Sequence, residues 1–172
     1  MCGFVPAKKN IPINIVMKEV VKESIQDFSK AIEDPTLPTI NVIDLNQGTI
    51  SVAVQIAKAL QNYEIVAMMT DRLLHPNGGV TVAFLGRSIQ INKNPFEVAY
   101  NRNVPIVAVF SLRMDDYCYN VYYYRLDPFD VTLLKEEAIA ITAQKYADLL
   151  EKMVRDYPDQ WFNHYDFFGD DA

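Results

Sequence analysis

Histidine and cysteine are scarce in this chain, with two of each in 172 residues. Cys2 and Cys118 lie far apart, which makes neither a disulfide framework nor a zinc pattern and points to a reducing compartment. Glycine numbers only six, and neither GxGxxG nor a GxxxxGKS/T loop occurs, so a Rossmann or P-loop phosphate site is unsupported. No apolar run reaches the ~20 residues that span a bilayer. The opening Met1–Asn10 has no apolar h-region, which argues against a signal peptide and against a lipid anchor on Cys2. A cytoplasmic location is the expectation. Basic residues are in the minority, 16 Lys and Arg against 22 Asp and Glu, giving a net charge of -6. That balance argues against nucleic acid as a partner and gives no general attraction to anionic lipid, while leaving room for a local basic pocket.

What is present is an ordinary globular composition, half apolar and 22% charged. The length fits one domain, 1–172, able to bury on the order of 70% of its unfolded surface. Ile11–Met17 is a β-branched run that reads as a strand, with Pro12 at its start where a missing donor is tolerable. From Lys18 apolar residues recur at helical spacing until Asp34-Pro35. Thr39–Asp44 reads as a second strand, and Thr49 is placed to cap a helix with Ile50, Ala53, Val54, Ala57 and Leu60 on one face. Glu64–Thr70 is apolar on both sides, as expected of a strand covered by helices. Val80–Ile91 reads as extended pieces broken at Gly86, and Pro95–Asn101 as a short helix. Val104–Leu112 reads as a central buried strand, followed by an antiparallel aromatic strand, Tyr119–Tyr124. Leu133–Tyr157 is the longest helix, stopped by Pro158. The order implies an α/β fold with a mixed, mostly parallel sheet flanked by helices.

Sites in such sheets lie beyond the carboxyl ends of the strands, and Asp71-Arg72 falls at such an end. A guanidinium there suits a phosphate or carboxylate. The plainer reading is a turn cap and a surface ion pair. Arg87 follows Gly86, a residue that permits close backbone approach, so it is a second candidate for the same crevice. His75 stands near the pair as a candidate base or a solvated loop residue, and His164 reads as packing. Five residues beyond them stand Val80 and Gly169, so no His-x4-Asp pair exists. Ser51, Ser88 and Ser111 lack a nucleophile-elbow context, and the tyrosines from Tyr117 to Tyr124 read as sheet packing. No catalytic constellation assembles from these residues, and no metal site is expected.

The sequence nevertheless carries an ordered set of short motifs. Met68-Met-Thr-Asp71-Arg72, Gly79-Val-Thr-Val-Ala-Phe-Leu-Gly86, Asn103-Val-Pro-Ile-Val-Ala-Val-Phe110 and Gln160-Trp-Phe-Asn163 follow one another from the middle of the chain to its end. In order and spacing they resemble the lysophospholipid acyltransferase superfamily, in its lipid A biosynthesis (lauroyl/myristoyl) branch. Two departures stand out: Asn94-Pro95 where Gly-Pro is common, and Ala108 in place of a strand proline.

The resemblance implies transfer of an acyl chain from an acyl carrier protein or coenzyme A thioester to a hydroxyl of a lipid acceptor, without a cofactor of its own. It implies substrate-binding roles for Asp71, Arg72, Gly86 and Arg87, and a general base in a His-x4-Asp motif that this sequence lacks. The chain then corresponds to the C-terminal portion of such an enzyme, without the first strand–helix unit and its catalytic motif, and inactive alone. In full-length form it would work at the cytoplasmic face of the inner membrane, and an exposed edge left by the missing unit would favour homo-oligomers. A non-catalytic lipid- or partner-binding module with the same fold is the alternative. A flavodoxin-like nucleotide binder is a third reading, weakened by the missing phosphate loop.

Overall fold

The computed structural model describes residues 11–18, 38–71, 73, 78–116, 118–130, 132–161 and 167–168. It divides at Thr70 into two compact units. The expected helix from Lys18 to Asp34 lies largely outside the described residues, as do Arg72, both histidines and Tyr117.

The first unit is a parallel sheet of β1 (Ile13–Met17), β2 (Ile40–Asp44) and β3 (Ile65–Ala67), with β1 in the centre. Ile13 pairs with both Ile40 and Ile65. Pro12 sits just before β1, where its carbonyl accepts from Ile65 N–H at 3.0 Å and its lack of a donor breaks no ladder. Asn14, in the middle strand and buried, is satisfied by Glu64, the Ile65 carbonyl and Asn41. Helix α1 (Thr49–Gln61) packs on β2 and β3. It starts from Gly48 with no side-chain cap, so Thr49 is its first residue and not its capping one. Its buried face is Val52, Ile56 and Ala59, whereas Ile50 and Val54 are exposed. The helix carries two apolar stripes, and packing on the sheet selects the one that the sequence reading passed over. β3 is also shorter than expected, and it is an edge strand of this sheet with Ile65 exposed.

The second unit begins with a hairpin, β4 (Gly79–Phe84) and β5 (Arg87–Asn92), where extended pieces broken at Gly86 were expected. Leu85 and Gly86 form its two-residue turn, both at positive φ (50° and 78°), which matches the right-handed twist of the strands. Helix α2 (Asn94–Arg102) has its proline in the first turn as expected. The hairpin β6 (Val107–Arg113) and β7 (Tyr119–Arg125) is antiparallel, also as expected. β6 is not a central buried strand. Among the described residues only β7 pairs with it, and Val107 and Val109 on one face are exposed while Ala108 and Leu112 on the other are buried. The unit closes with α3 (Lys135–Asp156). The α/β class with a parallel sheet stands, its strands grouped in three separately bonded sets.

The core of the second unit joins Val82 and Phe84 of β4 and Ile89 and Ile91 of β5 to Phe96, Leu126 and the buried face of α3. Ala143 and Ala147 on that helix are almost fully buried, and their small size lets the hairpin backbone come close. Two α3 side chains then bond the outer edge of β4. Gln144 accepts from Ala83 N–H at 2.8 Å and donates to the Ala83 carbonyl at 3.0 Å. Glu151 accepts from Leu85 N–H at 2.6 Å. An exposed edge strand is thereby covered by side chains in place of a neighbouring strand.

The Leu85 N–H, followed by the hydrogen bond from Arg155, holds the Glu151 carboxyl below its usual range near 4.5. A depressed carboxyl binds fewer protons in the folded state, so its contribution is present above the unfolded value and lost as pH falls through the folded one. Amide protection at Leu85 is therefore expected to stay level above about pH 4.5 and to drop below it. In E151Q this pH dependence should disappear. Equal pH profiles for the two proteins in hydrogen exchange would discard the carboxylate as the turn's anchor.

Candidate functional site

The stretch following β3 fixes the first candidate. Thr70 is buried, and its carbonyl accepts from Asn92 N–H at 2.9 Å. Asn92, buried at the end of β5, accepts with Oδ1 from the N–H of Asn94, the first residue of α2. Lys93 N–H bonds the Gly78 carbonyl at 3.0 Å. Asp71 thus stands where the end of β5 turns into α2, carried there by its neighbour's backbone bond.

From the other side comes Tyr146 of α3. Its ring lies edge-on to Phe96 in the first turn of α2 (centroids 6.2 Å apart) and stacks on Phe110 of β6 (6.2 Å, 18°). Burial, and then the negative charge of Asp71, push its phenol well above the usual tyrosine range. Both act against the anion, so Tyr146 stays protonated at every physiological pH. It is available as a donor and not as a base. The spacing of α3 puts Tyr146 on its apolar face, but nothing local in the sequence announces the carboxylate near it.

Gly86 and Arg87 lie elsewhere. Arg87 begins β5 and Asn92 ends it, five residue steps or about 17 Å apart. Gly86 serves the hairpin turn, and a Cβ there would meet nothing within 4 Å. The Arg87 guanidinium sits 5.0 Å over the Phe168 ring and donates to the Phe168 carbonyl at 3.4 Å. The structure therefore does not bring Gly86 and Arg87 together with Asp71. Arg72 lies outside the described residues.

The Gln-Trp motif has a clear structural use. Gln160 accepts from Arg113 N–H at 2.7 Å and donates to the Arg113 carbonyl at 2.7 Å, pairing the end of β6 as Gln144 pairs β4. Trp161 packs edge-on against Phe84 at 5.5 Å and Phe167 at 5.1 Å. Among the described residues no group of three or more His, Cys, Asp or Glu is arranged to hold a metal ion. No helix among them is long and apolar enough to cross a membrane.

Residues 40–164 match the family model of the bacterial lipid A biosynthesis acyltransferases, well over half of the chain. The chain belongs to that family. The matched span takes in Asp71-Arg72, the β4–β5 hairpin, β6 and Gln160-Trp161. No curated protein matches the chain. As a member of this family the chain is of acyltransferase type, with a lipid as the acceptor class.

Proposed function

We propose that this chain supplies the acceptor-holding part of an acyl transfer, in which a thioester of acyl carrier protein or coenzyme A gives its acyl group to a lipid hydroxyl. The family match across residues 40–164 carries this reading. Asp71-Arg72 shapes the site for an anionic group of the lipid or the donor, with Arg72 supplying its fork of donors. Tyr146, a neutral donor beside Asp71, fits that static role. The given sequence has no His-x4-Asp pair to take the hydroxyl proton, and a positioned base contributes about 10²–10⁴ in rate. On this reading the chain alone binds lipid and does not turn over.

The missing dyad also supports a second reading, a lipid- or partner-binding module without catalysis. A thioester-consumption assay on this chain bears on both: thiol release dependent on the lipid acceptor would refute the binding module and the claim that the base is absent. Lipid binding is tested separately. In a direct titration with a phosphorylated lipid, Arg72→Ala is expected to weaken binding by about 1–3 kcal/mol, the cost of one lost charge-assisted bond. Unchanged affinity would remove Arg72 from the site.

A further inference from the structure

The β6–β7 hairpin has two apolar faces, and the core takes only one. Ala108 and Leu112 are buried on the inner face, where Phe110 packs on the core of the second unit. The outer face runs from the cross-strand pair Val107–Arg125 at one end to Arg113–Tyr119 at the other. Between these ends lie the pairs Val109–Tyr123 and Ser111–Val121. Every residue of the four pairs is exposed, Val109 by 53% and Tyr123 by 60%. A strand apolar on both sides is ordinarily covered on both. The outer face offers on the order of 700 Å² per copy, close to the ~800 Å² that one partner gives to a standard interface.

The charges on this face narrow the choice of partner. It carries no carboxylate, and its two arginines stand at diagonally opposite corners. Arg113 is already held by Asp116 and by the Asp115 carbonyl. Arg125 has no ion pair among the described residues. One unneutralised cation on a chain of net charge -6 gives little attraction to an anionic membrane. A second copy of the chain fits better.

We propose that this chain forms a two-fold dimer by stacking the outer faces of its β6–β7 hairpins. The register decides what meets what when a face is turned over onto its own copy about an axis across the strands. The partner's Tyr119 comes over Arg125, the partner's Val107 over Arg113, and the partner's Tyr123 over Val121. No arginine meets an arginine, and Arg125 of each copy gains the face of a ring. The centre of the contact is valine and tyrosine, with Ser111 as its one small polar residue. The dimer does not depend on the acyl-transfer reading.

Sedimentation equilibrium of the whole chain tests this. The wild type is expected to be a dimer at about 50 μM, an ordinary strength for an interface of this size. Val109→Glu puts an unpaired carboxylate at the centre of the covered face and should weaken association by at least about a hundredfold, leaving a monomer. Val109 is exposed in a single copy, so the far-ultraviolet spectrum should stay that of the wild type. Tyr123→Ser replaces this variant if the spectrum changes, and it too should be monomeric. Arg125→Ala should weaken the dimer by about tenfold, through the loss of two cation–π contacts. A wild-type monomer at that concentration overturns the proposal. A folded Val109→Glu that remains a dimer also overturns it and places the contact on another surface. Monomeric wild type that sediments with phosphatidylglycerol vesicles, where Val109→Glu does not, overturns it by assigning the face to lipid.

Discussion

Phe84→Ala is expected to lower the stability of the second unit by about 3–5 kcal/mol, the usual range for removing a buried aromatic ring. Phe84 is fully buried on the inner face of β4. Its ring meets Trp161 at 5.5 Å, Phe167 at 5.6 Å and Phe168 at 6.2 Å. Alanine would leave a hole that three large rings on one side and the α3 backbone, brought close by Ala143 and Ala147, cannot easily fill. The loss is a large share of the roughly 5–15 kcal/mol that holds a typical domain. Trp161 is the sole tryptophan of the chain, so its fluorescence reports unfolding at the affected place. Urea unfolding followed this way should show a much lower midpoint with an unchanged slope. Val54→Ala, at a site 61% exposed in the other unit, should move stability by less than about 0.5 kcal/mol. A loss below about 1.5 kcal/mol for Phe84→Ala would mean that the aromatic cluster collapses onto the gap and is not a fixed core.

The elements that the sequence displayed best are those whose periodicity has one solution. Helix α3 is amphipathic over 22 residues and ends before Pro158, and its apolar face admits no rival. The β6–β7 pairing followed from the short link between two apolar runs. Helix α1 failed on its face because Ile50, Val54 and Ala57 are as well spaced as Val52, Ile56 and Ala59. Only the sheet beneath decides between them. β6 misled by composition, since a continuous apolar run is expected in a covered strand, and here one face of it is exposed.

The candidate site divides in the same way. Asp71 was legible from its place after an apolar strand, but the bond that fixes it joins Thr70 to Asn92, and no local pattern announces that partner. Gly86 and Arg87 were grouped with Asp71 because a glycine permits close backbone approach and because the family resemblance implies a binding role for them. The hairpin instead sets them at opposite ends of β5, and the need for positive φ at the turn accounts for the glycine. Gln144, Glu151 and Gln160 bond backbone groups 47 to 66 residues away. A side-chain amide or carboxylate looks like any surface residue until the strand edge it covers is in place.

Gln160 turns that last point into a quantitative expectation. Its amide satisfies both the N–H and the carbonyl of Arg113, which only a group with one donor and one acceptor can do. In Gln160→Glu an oxygen still accepts from the N–H, but the other faces the Arg113 carbonyl, oxygen to oxygen. The hollow around it, lined by Arg113, Met114, Asp115, Asp116 and Asp159, already carries three carboxylates against one guanidinium. The expected loss at neutral pH is about 0.5–1.5 kcal/mol, the net worth of one hydrogen bond at this exposed position. The introduced carboxyl can recover the donor by keeping its proton, so its pKa in the folded state lies above the unfolded value near 4.3. A raised carboxyl means that the folded state holds more protons, and stability then falls as pH rises through that raised value. The deficit relative to the wild type should therefore be small near pH 4 and grow to its full size by about pH 7. Urea unfolding of both proteins at these two pH values measures it. No deficit at either pH would show that the amide's donor contributes nothing, and that Trp161 holds the Gln-Trp motif, whereas an equal deficit at both would show that the introduced carboxyl does not keep its proton to restore the bond.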